Sequence, residues 1–492
     1  VGRKLVIDPV TRIEGHGKVT VHLDDNNQVI DAKLHVVEFR GFEKFMQGHP
    51  YWEAPMFVQR ICGICTVSHH LCGAKALDDM IGAGFSTGIN ITPVAEKARR
   101  LGHYMQQLQS HVTAYFYLIV PEMLFGMDAP PEQRNVLGLV EEDPELVKRV
   151  VALRKWGQEG IQAILGKKMH GILSIPGGVN QNLSEEAKNR LINGDEGLIS
   201  LDTVIEYAQI GLDMFYDFHE KNRKQVDSFA DVPALNMSLV NLDGSGIVDY
   251  YHGNIRVVDK NKEIVSEFDY HDYLEHMSEA TEDWSYMKFP YLTKLDRETG
   301  SVRVGPLGRL NVTTSYSDDT PLAKAALERF HDYTDGKAND MTLHTNWARA
   351  IEILHSAELI KNLLHDPDLQ KTDLIIKPGD KAWTGEGVGV VEAPRGTLLH
   401  HYKADKGGSL TFVNLVVATT QNNEVMNRSV RSVAKAYIGG NAEVTEGMMN
   451  AIEVSIRAYD PCLSCATHAV GQMPLVVSVY NAKGKLINEI VR

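Results

Sequence analysis

Asp460-Pro461-Cys462-Leu463-Ser464-Cys465-Ala466-Thr467-His468, near the C-terminus, is answered near the N-terminus by Arg60-Ile61-Cys62-Gly63-Ile64-Cys65-Thr66-Val67-Ser68-His69. Each stretch is a C-x-x-C pair followed shortly by a histidine. Two pairs offer four thiolates, enough to close a tetrahedral or square-planar metal site. The chain of 492 residues has 5 cysteines, and four of them lie in these motifs. The fold therefore has to bring its two ends together. The plainest reading of the cysteines alone is a zinc tetrathiolate stapling those ends.

Composition narrows the function classes. Hydrophobic residues make up 43% and charged residues 23%, an ordinary globular balance. A net charge of −14, with no long basic run, argues against nucleic-acid binding. No stretch is apolar for the length of a bilayer span. The most apolar segment, Tyr115 to Val120, is short and stops at Pro121. The first residues, Val1 to Val6, lack a signal-peptide core and run into strand-like sequence. Few cysteines in metal spacing fit a reducing compartment, so a cytoplasmic location is expected.

The chain reads as one compact α+β unit without repeats or low-complexity linkers. Lys18–Leu23 and Gln28–Val37 alternate around Asp24–Asn27, as in a hairpin. Leu71–Met80 reads as helix, with Cys72 a core thiol. Thr92-Pro93 is a helix start; Leu101, Met105, Leu108, Val112, Phe116 and Ile119 behind it form a bundle stripe. Asp143-Pro144 starts another helix, with Lys167, Lys168 and His170 at its expected end. Val204–Val226 and Met341–Leu364 are two more. His103, His111, His219 and His355 on these helices are read as packed or exposed, since none has ligand spacing. Ile255–Val258 and Ile264–Phe268 form a second hairpin, whereas Tyr270–Asp335 shows little periodicity. Gly385-Glu386-Gly387-Val388-Gly389 is not read as a nucleotide loop, because it lacks the G-x-G-x-x-G spacing. Thr445–Arg457 is the last helix, and Leu475–Tyr480 with Lys485–Ile490 form a C-terminal hairpin pattern.

The flanks of the cysteine pairs separate zinc from other metals. Asp-Pro-Cys-x-x-Cys-x-x-His together with Arg-x-Cys-Gly-x-Cys resembles the large subunit of the nickel–iron hydrogenases. The likeness continues through Arg12-Ile13-Glu14-Gly15-His16, Arg40-Gly41-Phe42-Glu43, Glu392-Ala393-Pro394-Arg395-Gly396 and Leu415–Asn423. It implies an α+β fold with a long-helix bundle core and N-terminal and peripheral antiparallel β-hairpins. Leu71–Leu77, Val94–Ala114 and Glu392–His401 are similar to the large subunit of the cytoplasmic NAD-reducing bidirectional enzyme.

The resemblance implies roles residue by residue. Cys62 and Cys462 would bind nickel alone, and Cys65 and Cys465 would bridge nickel to an iron carrying CO and two cyanides. Pro394, Arg395 and Thr419 would surround those small ligands, and His69 would hydrogen-bond a bridging sulfur. Cys462 would be the first base in H2 heterolysis, Glu14 would carry the proton onward, and Arg395 is the alternative base. Asp460 would orient Arg395. Glu43, the Leu415 carbonyl and His468 would hold Mg2+. The mature domain would be 1–468, with 469–492 a removable maturation peptide. One departure stands out: Gln109-Ser110-His111 has serine where many relatives place an aspartate, leaving Arg395 one fewer carboxylate.

One spare cysteine cannot hold an iron–sulfur cluster, and no dinucleotide fingerprint is present. Both gaps imply partner subunits, and the resemblance implies which: a small subunit with Fe–S clusters and diaphorase subunits with FMN and Fe–S clusters. H2 and NAD(H) would then be substrates of the complex. The alternatives are the same catalytic chain in a flavin-bifurcating or methanogen-type complex, a zinc-stapled scaffold without activity, and a quinone-module subunit of complex I. Four intact cysteines argue against the last.

Overall fold

The structure is a computed structural model. It describes residues 2–85, 90–377 and 382–467, together with two strands at 476–480 and 486–491. Its core is a set of long helices. α1 spans Thr66–Met80 and starts directly after Cys65, ahead of the apolar run that marks it in the sequence. α2 spans Pro93–Val112, and the Thr92 hydroxyl caps it by accepting from the Ala95 amide at 3.3 Å. It continues as a π-helical stretch, Thr113–Ile119. The stripe from Leu101 to Ile119 is buried throughout. α3 spans Pro144–Leu165, with Asp143 Oδ1 accepting from the Leu146 amide at 2.9 Å. Gly166, at φ 80°, ends this helix, so Lys167, Lys168 and His170 lie beyond its last turn, not within it.

α4 (Leu201–Ser228) and α5 (His344–His365) complete the bundle. α5 is buried on almost every side between α2 and α4. Each leucine or isoleucine that it fully buries contributes about 1.5–3 kcal/mol. A last helix, α6 (Glu446–Ala458), is capped by Thr445 and delivers Asp460 and the second cysteine pair.

β1 (Lys4–Ile7), β2 (Gly17–Leu23) and β3 (Val29–Val36) form the N-terminal antiparallel sheet, with Lys4 opposite His22 and Gly17 opposite Val36. β4 (Glu386–Ala393), β5 (Gly396–Ala404) and β6 (Leu410–Val416) form a second antiparallel meander. This meander is internal, not peripheral: every residue from Gly387 to Tyr402 is buried. The reason lies in the glycines at 387 and 389. A Cβ on Gly387 would sit 2.0 Å from the Ala76 carbonyl oxygen, and one on Gly389 would sit 2.2 Å from that of Cys72. The glycine-rich stretch is a strand crossed at close range by α1, and not a nucleotide loop.

The other sheets are smaller. Asn254–Val258 and Ile264–Phe268 pair as the expected hairpin, and Leu235–Val240 pairs in parallel with Val302–Arg303. The aperiodic stretch 270–335 does hold regular elements. Met277–Glu282 pairs with Ser285–Leu292, and Pro306–Val312 and Pro321–Asp332 are helices opened by proline. Val476–Tyr480 pairs antiparallel with Leu486–Val491, as the C-terminal pattern indicates.

Candidate metal centre

Two turns carry the cysteines. Cys65 is the residue immediately before α1, at the positive end of that helix. Cys462 precedes a short 3-10 turn, Leu463–Cys465, reached through Asp460 at φ 49°. That conformation is costly for a residue other than glycine, and here it turns the chain from α6 into the site. The four cysteines are at most 6% exposed, and their sulfurs lie within 4.8 Å of one another. Cys65 and Cys465 approach to 3.0 Å, Cys62 and Cys462 to 3.2 Å, and Cys462 and Cys465 to 2.8 Å. Hydrogen bonds from the neighbouring sulfurs hold Cys65 well below the usual thiol range, against burial. Burial pushes Cys462 and Cys465 up. Four sulfurs crowded in a dry pocket are a soft donor set, and a bound cation would offset their charge on deprotonation.

Beside the sulfurs lies a cavity of about 20 Å3, lined by Pro394, Arg395, Leu398, Val417, Thr419 and His69 among others. It is the size of one or two water-sized groups. Arg395 is buried over it. Its Nε donates to the Asp460 carbonyl at 2.6 Å, Nη2 meets Asp460 Oδ2 at 2.9 Å, and Nη1 donates to Ser110 Oγ at 3.4 Å. Burial opposes its charge, but Asp460 and the cysteine sulfurs outweigh burial and raise its pKa well above the usual value. The site thus favours Arg395 as a protonated donor. Thr419 Oγ1 accepts from the Cys462 amide at 3.1 Å. His69 reaches His400 through Nδ1 at 3.1 Å, and His400 reaches the Tyr402 hydroxyl at 2.7 Å.

Glu14 meets the cluster from the N-terminal loop, with Oε2 3.0 Å from Cys462 Sγ and 3.0 Å from the Ser464 amide. On the far side, Glu43 Oε1 accepts from the Leu415 amide at 2.9 Å. β6 is an edge strand, and the Leu415 amide is turned outward to Glu43. Burial lifts Glu43 to a pKa of about 6. Arg40 and Gly41 donate to the Thr467 carbonyl at 3.0 and 3.4 Å, so the C-terminal segment arrives next to Glu43. His468 lies outside the described residues.

A family model described as nickel-dependent hydrogenase matches residues 40–121 and 236–468, and one described as HoxL-like matches 4–39. The chain belongs to the nickel-dependent hydrogenases. The beta subunit of the NAD-reducing hydrogenase HoxS of Cupriavidus necator is 75% identical over 492 residues, spanning 100% of both chains. The matching subunit of the vhc F420-non-reducing hydrogenase of Methanococcus voltae is 40% identical, over 99% of this chain and 100% of the relative. A crystal structure of an NAD+-reducing NiFe hydrogenase in the H2-reduced state matches with a TM-score of 0.89 at 44% identity, over 95% of this chain and 99% of that one. The Ni-Fe-Se hydrogenase of D. vulgaris Hildenborough shares the fold, with a TM-score of 0.74 at 23% identity.

This hydrogenase is an oxidoreductase, and its four-cysteine cluster fits a nickel–iron site. No helix among the described residues is long and apolar enough to cross a membrane. Cys72 is a core residue, its thiol donating to the Gly389 and Leu398 carbonyls.

His219 and His344 both reach Asp227 Oδ1, at 2.9 and 3.1 Å. They form a hydrogen-bonding hub, not an open ligand set. Asn339 Oδ1 accepts from the Met341 amide, so its Nδ2 donates to His344 Nδ1 and leaves the proton on Nε2, facing Asp227.

Two buried charge clusters around the hydrogenase site escape a sequence reading. Arg309 bridges Glu352 and Glu392, and Glu122 bridges Arg12 and Arg457. The available hint is a charged residue such as Glu352 within the apolar run Ala350 to Leu354, which marks a buried partner without naming it.

Proposed function

We propose that this chain is the H2-activating subunit of a cytoplasmic NAD-reducing nickel–iron hydrogenase. The observation that carries the reading is the 3.0 Å contact of Cys462 Sγ with Glu14 Oε2 inside a cluster of four cysteines. Cys62, Cys65, Cys462 and Cys465 would hold nickel, with Cys65 and Cys465 also on iron. The Ni–Fe(CN)2(CO) group would supply the metals at which H2 is split heterolytically. Pro394, Leu398 and Val417 keep its small ligands dry, and Arg395 and Thr419 offer donors to them. Cys462 Sγ receives the proton and passes it to Glu14, already within hydrogen-bond distance. Asp460 holds Arg395 over the cavity. His69 lies beside Cys65 and Cys465 in the cavity wall, where its ring can turn a donor toward a bridging sulfur. Glu43, the Leu415 carbonyl and His468 would supply three ligands to Mg2+, with water filling the remaining positions.

Electrons leave to partners: a small subunit with Fe–S clusters, then diaphorase subunits with FMN and Fe–S clusters that reduce NAD. The 75% identity to one chain of an NAD-reducing enzyme supports this acceptor over those of the methanogen-type relatives at 40%. The mature domain is 1–468, and 469–492 is removed during maturation. The family match ends at 468, which supports that boundary. Metal analysis and infrared spectroscopy of the purified complex test the site. Nickel, iron and bands in the CO and cyanide stretching region are expected. Zinc alone, with neither band, would overturn the reading. Co-purifying flavin subunits would separate NAD from other acceptors.

A further inference from the structure

Arg395 is held directly by Asp460 and Ser110, and the backbone that carries it is held in turn. The turn that carries it rests on the segment before Pro306. A Cβ on Gly396 would lie 2.6 Å from the Gly305 amide nitrogen, and one on Gly305 would lie 2.6 Å from the Arg395 carbonyl oxygen. The Pro306–Val312 helix that follows carries Arg309, fully buried. All five of its N–H donors are used. Nε and Nη2 take both oxygens of Glu352 at 2.5 and 2.7 Å. Nη1 reaches Glu392 Oε2 and the Ala393 carbonyl, both at 2.9 Å, and Nη2 reaches the Pro394 carbonyl at 3.0 Å.

The arrangement extends toward the helix that carries Ser110. Glu352 Oε2 lies 3.0 Å from His111 Nε2, and the residue before His111 is Ser110, which accepts from Arg395. Glu392 is fixed independently, accepting from Thr397 Oγ1 at 2.6 Å and from the Leu239 amide at 3.0 Å. We propose that Arg309 is a positioning residue for Arg395: it grips the two carbonyls preceding Arg395 and, through Glu352 and His111, the helix that offers Ser110 to the same guanidinium. This rests on the proposed role of Arg395 over the metal ligands. Arg309 touches neither the sulfurs nor the cavity. A planar guanidinium suits the task, because its fork meets carboxylate and carbonyl acceptors at once, whereas an ammonium has only three donors.

The test compares Arg309→Lys and Glu352→Gln with Arg395→Lys in the nickel-loaded complex. Arg395→Lys serves as the reference and should shift the cyanide stretching bands. Arg309→Lys and Glu352→Gln should shift them in the same direction by a smaller amount. Turnover should fall about 100-fold, as for a misaimed group, with nickel content near wild type. In crystal structures of the two variants, the Arg395–Asp460 contact of 2.9 Å should lengthen. If Arg309→Lys fails to take up nickel, Glu352→Gln decides with the same readouts. Unmoved bands and an unmoved Arg395 in a nickel-loaded variant would overturn the proposal, and so would loss of nickel in both variants, which would make the ring a folding element. Unmoved bands in Arg395→Lys would instead reject the role given to Arg395.

Discussion

Glu14 and Cys462 are tied together at two levels. The Leu463 amide donates to the Glu14 carbonyl at 3.0 Å, in a parallel bridge between residues 14 and 462. The side chains meet at 3.0 Å, while the Ser464 amide holds the same carboxylate oxygen. The carboxylate therefore cannot drift from the sulfur without breaking main-chain contacts. A Cβ on Gly15 would lie 2.7 Å from Leu463 Cβ, so the loop needs glycine to come this close.

Glu14→Gln keeps the shape of this junction and removes the group that relays a proton. Nickel and iron content should stay near wild type. H/D exchange should fall at least about 100-fold, the lower range for a positioned proton-transfer group. Normal exchange would mean that the proton leaves by another route.

Cys65→Ala should cost both metals, because Cys65 lies between Cys465 at 3.0 Å and the start of α1, with no spare donor sulfur adjoining. Cys72, the fifth cysteine, is committed to two carbonyls. H2 uptake should drop to background and metal analysis should show nickel below stoichiometry. Full nickel and turnover in Cys65→Ala would remove the basis of the site assignment.

Glu122 is the buried link between the two arms of the site. Arg12, two residues before Glu14, donates to it at 2.9 Å, and Arg457, at the end of α6, donates at 2.5 Å. Removing the carboxylate charge leaves the buried Arg457 guanidinium facing the partly exposed one of Arg12. Glu122→Gln should lower the unfolding free energy by about 3–5 kcal/mol, the usual cost of breaking a buried pair. Thermal unfolding measures the loss. An unchanged melting temperature would show that water or Glu453 takes over.

How much of this was legible in the sequence follows from range. The cysteine pairs, Glu14 and Arg395 sit in local motifs whose spacing is itself the signal. Thr92 and Asp143 announce their helices because a cap acts over three residues. Arg309 and Glu352 are 43 residues apart, and what joins them is the packing of a short helix on α5. Nothing within either segment encodes that distance. The same holds for Glu122, whose partners come from opposite ends of the chain. The internal position of β4–β6 was half legible: glycines at 387 and 389 signal close approach, but only the fold shows that α1 is what approaches.

His271 ties the loop after β-strand residue Phe268 to the end of α1, with Nδ1 2.6 Å from Asp269 and Nε2 3.2 Å from Asp79. Burial disfavours its charge, but the hydrogen bonds to Asp269 and Asp79 outweigh burial and lift its pKa to about 9. The folded value is above the ordinary value of about 6.5. The contribution is therefore full below about pH 6.5, falls as pH rises through about 9, and is gone above it. His271→Gln should melt below wild type at pH 6 and match it at pH 10. A gap that persists at pH 10 would assign the effect to packing.

The last expectation concerns residues 469–492. The chain is buried as far as Thr467, which is 1% exposed. Its carbonyl is held by Arg40 and Gly41, and the Ala466 carbonyl accepts from Thr420 at 3.1 Å. A chain that continues past this point has to leave from a packed position next to Glu43. In the uncut chain Cys462 and Cys465 already meet Cys62 and Cys65, so the tail leaves from beside a formed cysteine site. Thr467 is already settled against Arg40 and Gly41, so cleavage after His468 would remove the exit and leave His468 beside Glu43. The tail strands pair with each other in an antiparallel hairpin. Intact mass of the nickel-loaded, active enzyme should end at His468, and nickel-free protein from cells starved of nickel should keep the full length. Active enzyme whose mass includes Arg492 would rule this out.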